Sequence, residues 1–170
     1  MISFDAGPWR FSLRAAAIIR HGDLVLLHRV GNDPFWALPG GRVEAGETAE
    51  TAIRREMREE LGSEIRIERL EAVVENLYPY RDRPHHGMEL HFAVQLPEES
   101  PPLGQPRFER LETGSGLYGE PAAAMRLEFR WFHRGELAAL DLRPAFLPAR
   151  LGAPPRTRMV EHIVHRDGTL

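Results

Sequence analysis

Residues 36–62 read WALPGGRVEAGETAETAIRREMREELG, and this segment changes from a glycine-rich loop to a helical pattern. Thr48 suits the N-cap of a helix, Glu50 suits the positive end of the helix dipole, and Gly62 suits the position just past the last turn. Apolar residues recur every four positions between them: Ala49, Ile53, Met57 and Leu61. The pattern predicts a helix with one face buried in a core.

Three glutamates of the predicted helix, Glu56, Glu59 and Glu60, share one face because they lie at i, i+3 and i+4. Such a face is either solvated and balanced by neighbouring arginines, or it is a site for a cation. The preceding glycine loop favours the cation, since an exposed salt-bridged helix needs no loop that can approach a ligand closely. Carboxylate and carbonyl oxygens are the ligands that Mg²⁺ and Mn²⁺ prefer. The set predicts metal-assisted attack on a phosphate ester or anhydride.

The spacing of these residues resembles the Nudix box, a pattern of glycine and glutamate followed by Arg-Glu-apolar-any-Glu-Glu-any-Gly. The matching residues are Gly41, Glu47, Arg55, Glu56, Met57, Glu59, Glu60 and Gly62. One position departs, because Ser63 stands where the family usually has an aliphatic residue, and this leaves the packing at the helix end open. The resemblance implies the Nudix α/β/α sandwich with a mixed β-sheet. It also implies hydrolysis of a diphosphate linkage with Mg²⁺ or Mn²⁺ as the cofactor.

The resemblance further implies roles for single residues. Arg55 is expected to orient Glu56 by a charge-assisted hydrogen bond, and Glu56 is the first choice for the base that accepts the proton of the attacking water. The expected metal ligands are Glu56, Glu59, Glu60, the backbone carbonyl of Gly40 and, in a supporting position, Glu47. In the family the base sometimes lies outside the box. Residues that could take that role, and that otherwise read as ordinary surface glutamates, are Glu109, Glu112, Glu120 and Glu128.

Length and composition limit the class of protein. A chain of 170 residues with 42% hydrophobic and 28% charged residues fits one globular domain, expected over residues 1–170. The net charge of -3 gives no general attraction to nucleic acid or acidic membranes, and the apolar run at residues 15–19 is too short for a signal peptide or a membrane span. The chain has no cysteine, which excludes disulfides and thiolate metal sites. We expect a cytoplasmic protein without nucleic-acid or membrane partners, and the resemblance adds a homodimer as an expectation.

Strand patterns flank the box on both sides. Residues 11–20 and 24–27 enclose the turn His21-Gly22-Asp23 and predict a buried hairpin. Further strands are expected at residues 65–74, 88–96, 127–133 and 159–165, and short helices at residues 136–140 and 144–151. This order predicts an α/β/α sandwich or an α+β arrangement on a mixed sheet. Residues 97–125 are rich in proline and glycine and are expected to form a long loop or insertion, and residues 144–170 a C-terminal extension of the same domain.

The segment from Tyr78 to Gly87 is predicted to be a loop dense in aromatic and cationic side chains. Tyr78 and Tyr80 could stack on a base, while Arg81 and Arg83 could reach a distal phosphate. The alternative is that one tyrosine belongs to the core and that the arginines are solvated.

Two signals in this segment bear on the substrate. In the Nudix family a proline at a set distance past the box often marks ADP-ribose hydrolases, and a tyrosine shortly after it often marks enzymes acting on diadenosine polyphosphates. Pro79 and Tyr80 occupy both places, so the rule supports both classes. The preferred hypothesis is a nucleoside diphosphate linked to another moiety, such as ADP-ribose or a related nucleotide sugar. The alternatives are a pool-cleaning nucleoside triphosphate pyrophosphohydrolase, a diadenosine polyphosphate hydrolase, a non-catalytic nucleotide-sensing Nudix module, and RNA cap removal, which the mildly acidic charge disfavours.

Overall fold

The computed structural model describes residues 1–80, 83–112, 125–154 and 159–168. Its strands are β1 (Ser3–Ala6), β2 (Trp9–His21), β3 (Leu24–Val30), β4 (Gly40–Arg42), β5 (Arg66–Tyr80), β6 (Arg83–Gln95), β7 (Arg107–Glu112), β8 (Met125–His133) and β9 (Glu161–Arg166). Its helices are α1 (Ala49–Leu61) and α2 (Leu147–Gly152), with 3-10 helices at Pro101–Gly104 and Arg134–Ala139. None of the helices within these ranges is long and apolar enough to cross a membrane.

The described strands form one mixed sheet in the order β7-β8-β3-β2-β6-β5-β9. Strand β2 has four partner strands. One side of it pairs in succession with β1, β4 and β3, and its other side pairs with β6. The pairs β2–β6 and β5–β9 are parallel, and the other pairs are antiparallel. The predicted first hairpin is confirmed by the pairing of Arg20 with Val25 and of His21 with Leu24.

Both faces of the sheet carry a hydrophobic core. On one face α1 buries Ile53, Met57 and Leu61 completely, as the four-residue repeat predicts. On the other face α2 buries Leu147 and Leu151 against the residues of β2 and β3. The two layers of helix around a mixed sheet confirm the predicted α/β/α sandwich. That residues 1–170 form a single domain stays a prediction.

The bounds of α1 follow the predicted capping residues. At its start the Thr51 N–H donates to Thr48 Oγ1 over 3.1 Å. At its end Gly62 adopts a left-handed φ of 64°, and its N–H donates to the Arg58 carbonyl over 3.0 Å. A residue with a side chain is strained in this conformation, which explains the glycine. The caps therefore set where α1 begins and ends, and the buried residues Ile53, Met57 and Leu61 set which of its faces meets the core.

The serine that departs from the Nudix pattern has a specific partner. Ser63 is buried, and its Oγ lies 2.6 Å from the Oγ of Ser100, just before the Pro101–Gly104 helix. A buried hydroxyl needs such a hydrogen bond. The polar pair thus replaces aliphatic packing at the end of α1 and ties the helix to the segment after β6.

The prediction of a loop from Tyr78 to Gly87 is wrong. Strand β5 continues to Tyr80 and β6 begins at Arg83, with Tyr78 paired to His85 and Tyr80 to Arg83. Two prolines concealed the hairpin in the sequence. Pro79 and Pro84 are paired with each other, so the two missing N–H groups fall in a single residue pair of the hairpin.

The prediction of a structureless segment at residues 97–125 is wrong for its first half. Residues Pro101–Gly104 form a 3-10 helix, and β7 pairs with β8. Phe108 of β7 is buried and stacks on Phe129, with the ring centroids 4.9 Å apart. Neighbouring prolines concealed this six-residue strand. Residues 113–124 lie outside the described ranges.

The left-handed C-cap of α1 leads to a first prediction. We expect Gly62→Ala to lower the free energy of unfolding by about 1–2 kcal/mol, because a Cβ disfavours the left-handed conformation. Urea denaturation followed by circular dichroism measures the change. Gly104→Ala is the control, since a Cβ there meets open space and the backbone is not left-handed. Equal stability of the Gly62 variant and the unmodified protein would contradict the assignment of this cap.

Candidate functional site

The glycine loop lies directly against the glutamate face of α1. The Gly40 N–H donates to Glu60 Oε2 over 3.2 Å. A Cβ at Gly41 would stand 2.2–2.4 Å from the carboxylate atoms of Glu56, and a Cβ at Gly40 would stand 2.3 Å from the Ala15 carbonyl oxygen. Side chains at these two positions cannot be accommodated without movement. The glycines are therefore required by the close approach of the loop to α1 and β2.

The three glutamates of the helix differ in exposure. Glu56 and Glu60 are buried, with 7% and 4% of their surfaces exposed, whereas 58% of the Glu59 side chain is exposed. Burial raises the pKa of Glu56, and the hydrogen bond and charge of Arg55 oppose that change. A buried carboxylate favours either a proton or a cation nearby. The solvated-face interpretation of the sequence is therefore wrong for Glu56 and Glu60.

Arg55 connects most of the acidic residues of the site. Its guanidinium donates to Glu47 over 3.1 Å, to Glu56 over 2.7 Å and to Glu59 over 3.2 Å, and also to the Arg42 carbonyl over 3.1 Å. The Glu47 carboxylate raises the pKa of Arg55, and the hydrogen bond from Arg55 lowers the pKa of Glu47. The predicted contact between Arg55 and Glu56 is thus present, and Glu47 lies beside them.

The donor atoms of this site are of the type that a hard divalent cation binds. Glu56 and Glu60 present carboxylates directly under the glycine loop, which approaches them more closely than a loop with Cβ atoms at Gly40 and Gly41 could. Within the described ranges, however, no three acidic or histidine side chains are already gathered as a metal cage. Arg55 instead supplies the positive charge between Glu47, Glu56 and Glu59. The residues fit a Mg²⁺ or Mn²⁺ site by their chemistry.

His28 is a member of the site that sequence reasoning missed. This β3 residue is 4% exposed, and its Nδ1 lies 3.7 Å from Glu60 Oε1. Burial lowers the pKa of His28 to about 3, with a smaller effect from the charge of Arg14, so the ring is neutral at pH 7. A single histidine inside an apolar strand carries no sequence signal for this contact, because its partner is distant in the chain.

An aromatic cluster lies on the hairpin formed by β5 and β6. The rings of Tyr78 and His85 stack with centroids 5.2 Å apart, Tyr80 meets His85 edge-on at 5.7 Å, and Phe35 meets Tyr80 edge-on at 6.3 Å. Phe35 comes from the loop immediately before the box. The cluster therefore brings the predicted tyrosines to the side of the glycine loop, although as strand residues.

Arg14 of β2 is near both the box and this aromatic cluster. Its guanidinium donates to the Leu38 carbonyl over 3.0 Å. Burial raises the pKa of Tyr78 to about 12, and the Arg14 charge opposes this effect just as it opposes the raised pKa of Glu56. The charge of the Arg14 guanidinium therefore acts to lower the pKa of both the Glu56 carboxyl group and the Tyr78 hydroxyl group. Sequence reasoning missed Arg14, because nothing in an alternating strand marks it.

Within the described part of the chain, the side-chain contacts of Arg83 are with residues of β1 and β2 and not with the glutamates of the box. Arg83 pairs with Asp5 over 3.0 Å and donates to the Trp9 carbonyl over 3.5 Å, at the far end of β2. The prediction that Arg83 reaches a phosphate is therefore not supported by its contacts. Arg81 lies outside the described residues.

The glutamates considered as bases outside the box have other partners. Glu128 is buried between Arg29 at 2.6 Å and Arg107 at 2.8 Å, and Glu109 pairs with Arg126 at 3.4 Å. Among the contacts of the described residues, none joins these two glutamates to the box. Glu120 lies outside the described ranges, as does the side chain of Glu112.

Comparisons with known proteins agree with this geometry. A family model described as NUDIX domain matches residues 10–146. An ADP-ribose pyrophosphatase from Methanocaldococcus jannaschii is 38% identical over 99 residues, which cover 54% of this chain and 57% of that protein. A protein from an Enterobacter species named nucleoside triphosphatase NudI is 43% identical over 70 residues, which cover 38% of this chain and 46% of that protein. The match thus spans about half the length of these relatives.

Solved structures show the same fold at low identity. An ADP-ribose pyrophosphatase from Streptococcus suis superposes with a TM-score of 0.55 at 19% identity, covering 91% of this chain and 98% of that one. The MutT protein from Bacillus halodurans superposes with a TM-score of 0.53 at 16% identity, covering 91% of this chain and 90% of that one. At these identities the likeness concerns the fold alone.

The contact between Gly41 and Glu56 predicts a coupling in stability. We expect Gly41→Ala to cost about 1–3 kcal/mol of unfolding free energy, because the new Cβ overlaps the Glu56 carboxylate. The Glu56→Ala variant lacks this carboxylate, so we expect Gly41→Ala to cost less than half as much unfolding free energy when it is introduced into that variant. Chemical denaturation of the two single variants and the double variant measures the difference. Purely additive costs would contradict the close approach.

Proposed function

Because the chain belongs to the Nudix family, we propose that it is a Mg²⁺- or Mn²⁺-dependent hydrolase of phosphoric anhydrides. Its proposed substrate is a nucleoside diphosphate linked to another moiety, such as ADP-ribose or a related nucleotide sugar. The observation that carries the proposal is the burial of Glu56 and Glu60 directly against Gly40 and Gly41. Buried carboxylates at a loop with such close approach suit a catalytic metal site better than a surface role.

The residues of the box take distinct roles in this proposal. Glu56, Glu59, Glu60 and the Gly40 carbonyl hold the cation, which when bound neutralises the diphosphate and acidifies a water molecule. Arg55 holds Glu47 and Glu56 in place through its hydrogen bonds. Glu56 accepts the proton of the attacking water.

Substrate selection is assigned to the aromatic cluster and to Arg14. Tyr78, Tyr80 and Phe35 offer flat faces on which a base can stack. Arg14 is near both Tyr78 and Glu56, so its guanidinium can contact the phosphoryl group on the nucleoside side. A ligand that spans both regions needs a base, a sugar and a diphosphate in sequence, as in a nucleoside diphosphate derivative.

A nucleoside triphosphate pyrophosphohydrolase is the second candidate. The similarity to a protein named NudI nucleoside triphosphatase favours it, as the similarity to a protein named ADP-ribose pyrophosphatase favours the first. Both candidates use the same base and phosphate contacts, and they differ in the group beyond the diphosphate. A diadenosine polyphosphate hydrolase would need room for a second base. A non-catalytic sensor is disfavoured, because Glu56, Glu59 and Glu60 are all retained.

The metal ligands lead to a prediction on turnover. We expect Glu59→Gln or Glu60→Gln to lower Mg²⁺-dependent turnover at least about a hundredfold, since loss of a ligand charge weakens a contribution of several kcal/mol. Release of phosphate-containing products measures turnover, and circular dichroism verifies the fold. Glu64→Gln is the matched control, because Glu64 is an exposed residue paired with Arg58 just past the same helix. Near-normal hydrolysis by the Glu59 and Glu60 variants would refute the site.

The aromatic cluster leads to a prediction on substrate affinity. On a panel of ADP-ribose, nucleotide sugars, nucleoside triphosphates and diadenosine polyphosphates, we expect the highest kcat/KM for a nucleoside diphosphate derivative. We expect Tyr80→Ala to raise KM for that substrate about tenfold, because base stacking contributes ~1–3 kcal/mol. Tyr80→Phe should retain the original KM, and Phe4→Ala, at an exposed aromatic residue of β1, is the control. An unchanged KM in Tyr80→Ala would exclude stacking on this ring.

A further inference from the structure

His28 is held in a fixed position beside the box by its own backbone. Its N–H donates to the Ala37 carbonyl over 3.0 Å, and its carbonyl accepts from the Ala37 N–H over 2.8 Å. The ring packs against Phe129 with the centroids 5.6 Å apart. Ala37 precedes Gly40 by only three positions. The backbone of His28 is therefore hydrogen-bonded to the loop that contacts α1, and the contact with Phe129 limits the orientation of the imidazole.

Among the described residues, the ring nitrogen that faces Glu60 has no hydrogen-bond partner. His28 Nδ1 is inaccessible to solvent and makes no hydrogen bond of ordinary length, yet it lies 3.7 Å from Glu60 Oε1. The other oxygen of that carboxylate, Oε2, accepts from the Gly40 N–H. The two carboxylate oxygens thus face two different groups, one from the glycine loop and one from β3. A buried ring nitrogen is stabilised by a nearby acceptor, and Glu60 Oε1 is the acceptor that this nitrogen faces.

We propose that His28 is a positioning residue for Glu60: its Nδ1–H is directed at Oε1, 3.7 Å away, and fixes the direction of the carboxylate toward the bound cation. The inference rests on the proposed function, in which Glu60 is a metal ligand. Carboxylates that bind metals are themselves held by hydrogen bonds from surrounding residues. An imidazole ring that carries its proton on Nδ1 can supply such a contact. His28 therefore orients a ligand and does not bind the metal.

The test measures Mn²⁺ affinity by electron paramagnetic resonance, without any turnover. We expect His28→Leu to weaken Mn²⁺ binding at least about tenfold, since loss of such a supporting contact typically costs 10–100-fold. We expect His28→Asn to stay within about threefold of the unmodified protein, because the asparagine amide can place a donor near the position of Nδ1. Unchanged affinity in His28→Leu overturns the proposal. Equal losses in both variants also overturn it, because they show that only packing matters.

Two further variants make the result decisive. In His28→Gln the amide lies near the position of Nε2 and not of Nδ1, so we expect the same loss of Mn²⁺ affinity as in His28→Leu. This variant provides the test if His28→Leu does not fold. His86→Leu is the matched control, because His86 also has a buried ring nitrogen without a hydrogen bond and packs on Phe11 at 5.7 Å. We expect it to bind Mn²⁺ as the unmodified protein does. A tenfold loss in this control would show a general effect of removing a histidine and would overturn the proposal.

Glu60→Gln separates this proposal from the proposed function. If Glu60→Gln binds Mn²⁺ normally, Glu60 is not a ligand and the proposed metal site fails together with the role of His28. If Glu60→Gln loses Mn²⁺ binding while His28→Leu retains it, only the role of His28 fails. The expected result is loss in both, with rescue by asparagine at His28.

Discussion

The close approach of the glycine loop to α1 is the constraint on which the rest of the site depends. Gly40 and Gly41 lie where Cβ atoms would overlap Ala15 of β2 and the carboxylate of Glu56. This contact removes two glutamates from solvent, although their charges would favour exposure. Buried carboxylates are stable only where positive charge or hydrogen-bond donors compensate for the solvation that they lose. Arg55 and the Gly40 N–H meet that demand in the protein, and a divalent cation meets it in the proposed reaction.

The helix supports this arrangement through features that are local in the sequence. The caps at Thr48 and Gly62 set where α1 begins and ends, and the fully buried Ile53 and Met57 set its rotation. Once rotation is fixed, residues at i, i+3 and i+4 must share the face that meets the loop. For this reason the helix, its core face and the glutamate face could all be predicted from residues 36–62. Each depends on spacing within a few turns.

The parts that could not be predicted depend on contacts between distant segments. Arg14 and His28 lie on buried strands whose alternation gives no sign of the groups they face, and their partners are brought near by the sheet. The hairpin at Tyr78 was concealed because Pro79 and Pro84 suggest a loop when each is read alone, and only the pairing of β5 with β6 shows that they face each other. Arg83 was predicted to reach a phosphate or to be solvated, yet β1 places Asp5 beside it.

The correction from loop to strand changes what controls the choice of substrate. A loop from Tyr78 to Gly87 could adapt to ligands of different length, whereas a hairpin has its side chains placed by the register of the sheet. Strand β6 pairs with β2 so that Glu89 faces Arg14, and β4 pairs with β2 so that Gly41 faces Ala15. Strand β2 thus sets the separation between the glutamates of the box and the aromatic cluster. Because that separation is built into one sheet, the fold sets the distance from base to diphosphate by which the proposed function selects its substrate.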